Sequence, residues 1–154
     1  MTLLDASCLI SLFADEPGAS TVEQVCNTTQ VHISVLNRAE VIDVLGRRGA
    51  LVDEVGADID MLDIDEIEVT RDIADLAARW RAAHYHRVER PISLSDCIAL
   101  ASAASIGEPL ATSDRVLAEV AMRVGVVIVP VPNSSGVSPA DTPPEPGRRR
   151  RPNG

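Results

Sequence analysis

Short apolar segments alternate with segments of helical periodicity along residues 2–129, and this alternation limits the possible folds more than any other feature. Strands that alternate with helices along a chain form a parallel sheet covered by helices on both faces. Such strands are short and uniformly apolar because neither face meets water. The pattern therefore predicts an α/β fold, a three-layer sandwich with a central five-stranded parallel sheet flanked by helices. The predicted strands are 2–4, 31–34, 66–69, 109–112 and 126–129, and the predicted helices are 7–14, 20–26, 35–48, 51–62, 72–84, 95–106 and 114–124.

Composition divides the chain into a globular domain and a tail. The 154 residues are 45% hydrophobic and 24% charged, which is typical of one soluble globular domain. Residues 133–154 consist largely of Pro, Ser, Gly and Arg without apolar periodicity, which predicts disorder. We therefore expect a folded domain at 1–131 and a Pro/Arg-rich disordered C-terminal tail at 132–154.

Charge and hydropathy argue against several classes of protein. The net charge is −9, and the tail from residue 133 carries +2 of it, so the remaining body carries −11. Such a body repels nucleic acid unless cations or local Arg residues intervene, and it attracts basic partners. No run of about 18 apolar residues suggests a membrane span, and no signal-peptide pattern is visible. We therefore expect a cytoplasmic protein with no membrane association. The basic residues are all Arg, which excludes any mechanism that needs a lysine.

Four acidic residues lie where the predicted strands lead into helices, each among apolar or small neighbours. Asp5 ends the first strand and Asp114 follows the fourth, while Glu40 and Asp96 lie near the starts of the third and sixth helices. Ligands of parallel α/β sheets bind at the carboxyl ends of the strands, so we expect these side chains to share one edge. Each has a structural alternative, since Asp96 and Asp114 suit helix N-caps and Glu40 suits a solvated helix face.

A convergence of these carboxylates predicts a site for Mg²⁺. This ion prefers oxygen ligands, binds one or two carboxylates directly and keeps several waters. A water in such a site serves as a nucleophile, and the ion neutralises charge on a phosphodiester. Ser7, Thr112 and Ser113 supply hydroxyl groups beside the carboxylates. The sequence therefore predicts magnesium-dependent phosphate chemistry.

Four motifs together resemble the PIN domain, and more narrowly the VapC-type ribonuclease toxins of bacterial toxin–antitoxin pairs. The resemblance covers residues 1–131 and includes all four acidic positions in order. The motifs are Leu3-Leu-Asp-Ala-Ser7, Arg38-Ala-Glu40, Leu94-Ser-Asp-Cys-Ile-Ala-Leu-Ala101 and Leu110-Ala-Thr-Ser-Asp114.

The resemblance implies a PIN-like nuclease domain at 1–131 that is a Mg²⁺-dependent endoribonuclease, with Mn²⁺ as a possible substitute. Asp5 and Asp96 would be the principal metal ligands. Glu40 and Asp114 would complete the catalytic pocket through water or a second metal, and Thr112 or Ser113 would assist. The implied partners are an RNA substrate, a cognate VapB-like antitoxin and a second copy of the chain in a homodimer.

Three Arg residues are candidates for contact with RNA phosphate, which would offset the acidic body. They are Arg79, Arg87 and Arg90. A solvated helix face explains them equally well.

Two other functions remain open. A receiver-like phosphoacceptor signalling domain shares the acidic Mg²⁺ pocket and the five-stranded parallel sheet. That family has an acidic pair after the first strand and a lysine after the fifth, whereas Asp5 stands alone here and no lysine is present. A catalytically silent PIN-like module would keep the fold and only bind a partner. Activity of the purified protein on RNA separates this module from the nuclease.

Overall fold

The computed structural model describes residues 1–141 of the chain and shows the predicted α/β fold. Five parallel strands form one sheet in the order β3-β2-β1-β4-β5. Seven α-helices and one short 3₁₀ helix accompany them within this range. The elements are β1 (Thr2–Leu4), α1 (Ala6–Phe13), α2 (Ala19–Thr28), β2 (Val31–Ser34), α3 (Val35–Arg47), α4 (Val52–Asp60), β3 (Ile64–Ile67), α5 (Arg71–His84), α6 (Leu94–Ile106), β4 (Leu110–Thr112), α7 (Arg115–Val124), β5 (Ile128–Pro130) and the 3₁₀ helix Pro139–Asp141.

Successive residues of the central strands enter two separate cores, one on each face of the sheet. Leu3 and Leu110 pack with helices α5, α6 and α7. Leu4, Ile33 and Ala111 pack on the opposite face with helices α1 to α4. The central strands β1 and β4 carry buried apolar residues on both faces, which confirms the three-layer prediction, whereas β3 at the sheet edge does not show the predicted uniformly apolar pattern.

Three neighbouring strands end together at one edge of the sheet. Leu4 of β1 pairs in register with the next-to-last residues of β2 and β4. Asp5, Ser34 and Thr112 therefore lie side by side at the carboxyl edge, and the Asp5 N–H donates to the carbonyl of Ala111 at 3.0 Å. This edge is where the sequence placed its candidate site.

Three strands differ from the predicted ranges, and β4 differs only in that it begins at Leu110 rather than at residue 109. β3 is Ile64–Ile67 rather than 66–69, because it is an edge strand and tolerates the exposed acidic pair Asp65 and Glu66 in its middle. β5 is Ile128–Pro130 rather than 126–129. The N–H of Val126 closes the end of α7 by donating to a helix carbonyl, so the strand begins later.

The chain after β5 packs against the corner between α1 and α2. Val131 is buried, and a Cβ added at Gly18 would lie 2.4 Å from the carbonyl oxygen of Pro132. The Asn133 side chain then accepts from the N–H groups of Ser135 and Val137 and closes a local turn. The predicted domain boundary and the disordered tail stay predictions, since residues 142–154 lie outside the described range. No helix within residues 1–141 has both the length and the apolar character needed to cross a membrane.

Candidate active site

Asp5 is the centre of the candidate site, and it is 3% exposed. Its side chain caps α1, because Oδ1 accepts from the N–H of Ala6 at 2.8 Å. Its second oxygen, Oδ2, accepts from the hydroxyl of Ser7 at 2.9 Å and from that of Thr112 at 3.0 Å. The carboxylate is therefore held in one orientation by groups from two parts of the chain that are far apart in sequence.

Burial raises the pKa of Asp5 from 3.8 to about 7, and the negative charge of Asp96 and, more weakly, that of Glu40 act in the same direction. The hydrogen bonds from Ser7 and Thr112 oppose the shift but do not cancel it. A carboxylate with such a pKa is only partly ionised at neutral pH, and a nearby cation would favour its charged form. The environment of Asp5 therefore favours a positively charged ligand.

Asp96 and Asp114 each combine a helix cap with a place in the acidic cluster, since the charge of Asp96 acts on Asp5 and that of Asp114 acts on Asp96. Asp96 and Ser93 form a reciprocal capping box at the start of α6, in which Oδ2 of Asp96 accepts from the N–H of Ser93 at 2.8 Å. Oδ1 of Asp114 accepts from the N–H of Leu117 at 2.8 Å at the start of α7. Burial raises the pKa of Asp96, and the charge of Asp114 adds to the shift. Capping and charge clustering thus occur together, since each cap uses one carboxylate oxygen.

Glu40 is half-buried and tied to the site by hydrogen bonds rather than freely solvated. Its Oε2 accepts from the hydroxyl of Ser95 and, at 3.4 Å, from Nδ2 of Asn37. Asn37 and Ser34 are fully buried. Asn37, Ser34 and Ser95 were not among the site residues predicted from the sequence. The sequence signal for two of them is the occurrence of Ser34 and Asn37 at the start of α3, with Asn37 one helical turn before Glu40.

The three supporting residues play different parts. Thr112 donates its hydroxyl to Asp5 and accepts from the N–H of Asp114 at 3.0 Å, so it connects two of the acids. Ser7 donates to Asp5 and accepts from the N–H of Ser113 at 3.2 Å. Ser113 thus contributes its backbone N–H.

The donor set fits a largely hydrated divalent cation better than a cage made only of protein groups. Among the described residues, no three His, Cys, Asp or Glu groups come close enough to hold a metal together. Mg²⁺ does not require such a group, because it commonly takes one or two carboxylates and completes its shell with water. Electrostatic coupling nevertheless joins Asp5 to Asp96 and Glu40, and Asp96 to Asp114. The assignment of individual ligands stays a prediction.

Of the three candidate RNA-binding Arg residues, Arg79 lies on α5, and Arg87 and Arg90 lie in the segment that follows it. Arg79 and Arg87 are exposed. Arg90 is half-buried, donates from Nε to the carbonyl of His84 at 3.0 Å and lies 3.9 Å from Glu119. Arg90 is therefore partly engaged within the protein, and a contact of any of the three with RNA stays a prediction.

Comparison with known proteins matches residues 2–122 to the family model of the PIN domain. Three solved structures are similar. The Mycobacterium tuberculosis toxin VapC20, described as cleaving the sarcin-ricin loop, is 21% identical over 70% of this chain and 85% of its own, with a TM-score of 0.60. A toxin–antitoxin complex from Klebsiella pneumoniae is 22% identical over 74% of this chain and 87% of its own, with a TM-score of 0.58. VapBC-1 from nontypeable Haemophilus influenzae is 19% identical over 83% of this chain and 96% of its own, with a TM-score of 0.61. At these identities the structures establish the fold. No curated protein matches the chain.

Proposed function

The chain belongs to the PIN domain family, and from this premise we propose that it is a Mg²⁺-dependent endoribonuclease, the toxin of a toxin–antitoxin pair. The observation that carries the proposal is Asp5, a buried carboxylate at the carboxyl edge of the sheet whose pKa is raised by burial and by its acidic neighbours. That environment suits a divalent cation, and the edge is where parallel α/β sheets bind ligands. The solved structures described as VapC20 and as toxin–antitoxin complexes support the more specific function.

In the proposed site, Asp5 and Asp96 would hold the cation, and Asp114 would contribute to its binding through water. The chemistry that Mg²⁺ supplies when bound is neutralisation of charge on the phosphodiester and activation of water for attack. Ser7 and Thr112 keep the Asp5 carboxylate in one orientation through the hydrogen bonds described above. Glu40 would complete the pocket through water, so it would contribute both to cation binding and to the orientation of the water that attacks phosphorus in line with the leaving 3′-oxygen. The expected products carry a 5′-phosphate.

The proposed inhibitor is a VapB-like antitoxin with a basic segment that covers the acidic edge. The body of the chain carries a charge of −11, so a basic peptide is attracted to it electrostatically. The neighbouring VapBC-1 structure supports a paired partner of this kind. Homodimerisation belongs to the same proposal.

Cleavage by the purified full-length protein tests the nuclease function. We expect labelled RNA to be cut with Mg²⁺ or Mn²⁺ and to stay intact with EDTA. Asp5→Asn removes the central charge at nearly constant volume, so we expect activity to fall by more than ~100-fold, beyond the loss typical of residues outside the metal ligands. Asp43→Asn is the matched control, because Asp43 lies one helical turn beyond Glu40 but pairs with Arg47 on the surface.

Equal activity of Asp5→Asn and Asp43→Asn in Mg²⁺, with circular dichroism confirming that both are folded, would contradict the assignment of the site. RNA that survives the wild-type protein under all metal conditions would favour the silent binding module.

Expression in cells separates a toxin from a housekeeping nuclease. We expect growth arrest on overexpression, no arrest with Asp5→Asn, and relief when the neighbouring upstream reading frame is expressed with the wild-type protein. Normal growth on overexpression of active enzyme would contradict the toxin function and leave the nuclease function standing.

A further inference from the structure

A buried carboxamide lies behind Glu40 and is fully satisfied by hydrogen bonds. Oδ1 of Asn37 accepts from the hydroxyl of Ser34, and Nδ2 donates to Oε2 of Glu40 and to Oγ of Ser95, both at 3.4 Å. A carboxylate can only accept hydrogen bonds, so the nitrogen of Asn37 must face Glu40. The amide orientation is therefore determined by chemistry.

Ser95 closes this network from a different helix. Its hydroxyl donates to the same Oε2 of Glu40 that accepts from Asn37. Ser95 precedes Asp96 on α6, whereas Glu40 and Asn37 lie on α3. The network thus joins the helix that carries one acidic residue of the site to the helix that carries another.

The two carboxylate oxygens of Glu40 differ in their hydrogen bonding. Both donors meet Oε2, and within residues 1–141 no hydrogen bond reaches Oε1. One oxygen is therefore held by the protein, and the other is open to water or a ligand. This is the arrangement expected for a carboxylate that is oriented by partners behind it.

We propose that Asn37 and Ser95 are positioning residues that act through Glu40, an inference that rests on the proposed function. Glu has three side-chain torsions, and a free side chain would spread its charge over many positions. Two donors on one oxygen restrict it to a single arrangement beside Asp5. Loss of an outer partner of a metal site typically lowers metal affinity or activity roughly 10- to 100-fold.

A double-mutant cycle read by Mn²⁺ binding tests the inference. Ser95→Ala and Asn37→Ala are each made in the wild-type protein and in Glu40→Gln, and free Mn²⁺ is measured by electron paramagnetic resonance. In the wild-type background we expect Mn²⁺ affinity and kcat to fall roughly 10- to 100-fold, with little change in KM for RNA. In Glu40→Gln we expect less than about a twofold further change in Mn²⁺ affinity, because residues that act through one group are not additive.

Ser105→Ala is the matched control. Ser105 also lies on α6, but its hydroxyl donates to the carbonyl of Ser102 on the same helix. We expect it to bind Mn²⁺ and cleave RNA like the wild-type protein. Ser95→Ala carries the test alone if Asn37→Ala, which empties a buried site, does not fold.

Equal losses of Mn²⁺ affinity in both backgrounds would overturn the inference, as would a Ser95→Ala protein that matches Ser105→Ala. Either result, in a wild-type protein that binds Mn²⁺ and cleaves RNA, leaves the proposed function intact. A wild-type protein that neither binds Mn²⁺ nor cleaves RNA contradicts the proposed function itself.

Discussion

Two acidic regions of this molecule use the same residue types in opposite ways. At the outer edge of the sheet, Asp60 on α4 and Glu66 on β3 are largely exposed, and both pair with the guanidinium of Arg38. At the carboxyl edge, the acids are buried or half-buried, and among the described residues none of them has an ion pair with Arg or His. The first region shares one Arg between two carboxylates and is partly neutralised by the protein, whereas the second has no such internal cation.

This difference shows why a count of acidic residues does not identify a site. Carboxylates that reach water or Arg need no further ligand. Asp5 has neither, and its pKa is raised to about 7 mainly by burial. The lack of an internal cation at a buried, crowded carboxylate is what distinguishes the candidate site.

Replacement of one acid in each region gives the largest expected contrast. Asp96→Asn removes charge next to Asp5, so we expect ribonuclease activity to fall by more than ~100-fold. Asp60→Asn weakens an exposed ion pair with Arg38, so we expect activity close to that of the wild-type protein. Initial rates of RNA cleavage in Mg²⁺ check both variants. Comparable activity of the two would remove the distinction between the regions.

The pH dependence of stability sharpens the comparison without RNA. A folded-state pKa of about 7 against 3.8 for Asp5 means that the folded protein holds a proton that the unfolded chain has released. The free energy of unfolding of the metal-free protein should therefore fall as pH rises from about 4 to 7, by at most ~4 kcal/mol at ~1.4 kcal/mol per pKa unit. Urea unfolding in EDTA at several pH values measures this slope.

Asp5→Asn is the control for that slope, and it should flatten the profile and leave the variant more stable than the wild-type protein near pH 8. Saturating Mg²⁺ should restore much of the wild-type stability at that pH. A wild-type profile no steeper than that of Asp5→Asn would show that burial of Asp5 carries no such penalty.

Removal of Arg38 from the exposed acidic region gives the smallest effect. Arg38→Ala breaks the ion pairs with Asp60 and Glu66, and exposed pairs contribute up to ~1 kcal/mol each. We expect the free energy of unfolding to fall by ~1–2 kcal/mol, less so at high salt because screening already weakens the pairs. Urea unfolding at two salt concentrations checks this, and an unchanged midpoint at low salt would mean that Arg38 contributes nothing measurable.

The sequence predicted the site best where a residue conflicts with its surroundings. Asp5 follows a buried strand, so its charge demands an explanation from the order of residues alone. Asn37 carries no such conflict, because a polar residue in the first turn of a helix is ordinary. Its role depends on Ser95, a residue from another helix whose proximity only the fold reveals.

The strands follow the same rule. β1 and β2 occupy their predicted residues because both lie in the interior of the sheet, where their apolar residues are buried. The predicted range of β3 was wrong by two residues. Asp65 and Glu66 can face water at the sheet edge, so hydrophobicity did not define the limits of this strand. Position within the sheet decided how well each strand could be predicted.

Strand β1 has only three residues. Two of them, Leu3 and Leu4, pack into different hydrophobic cores, and Asp5 follows directly. The central carboxylate is thereby clamped by both hydrophobic layers at once. Partial unfolding of either core would displace the Asp5 carboxylate. We therefore expect a partially unfolded form of this protein not to cleave RNA. The proposed ribonuclease activity should be lost over the same temperature interval in which the domain unfolds, with no active intermediate.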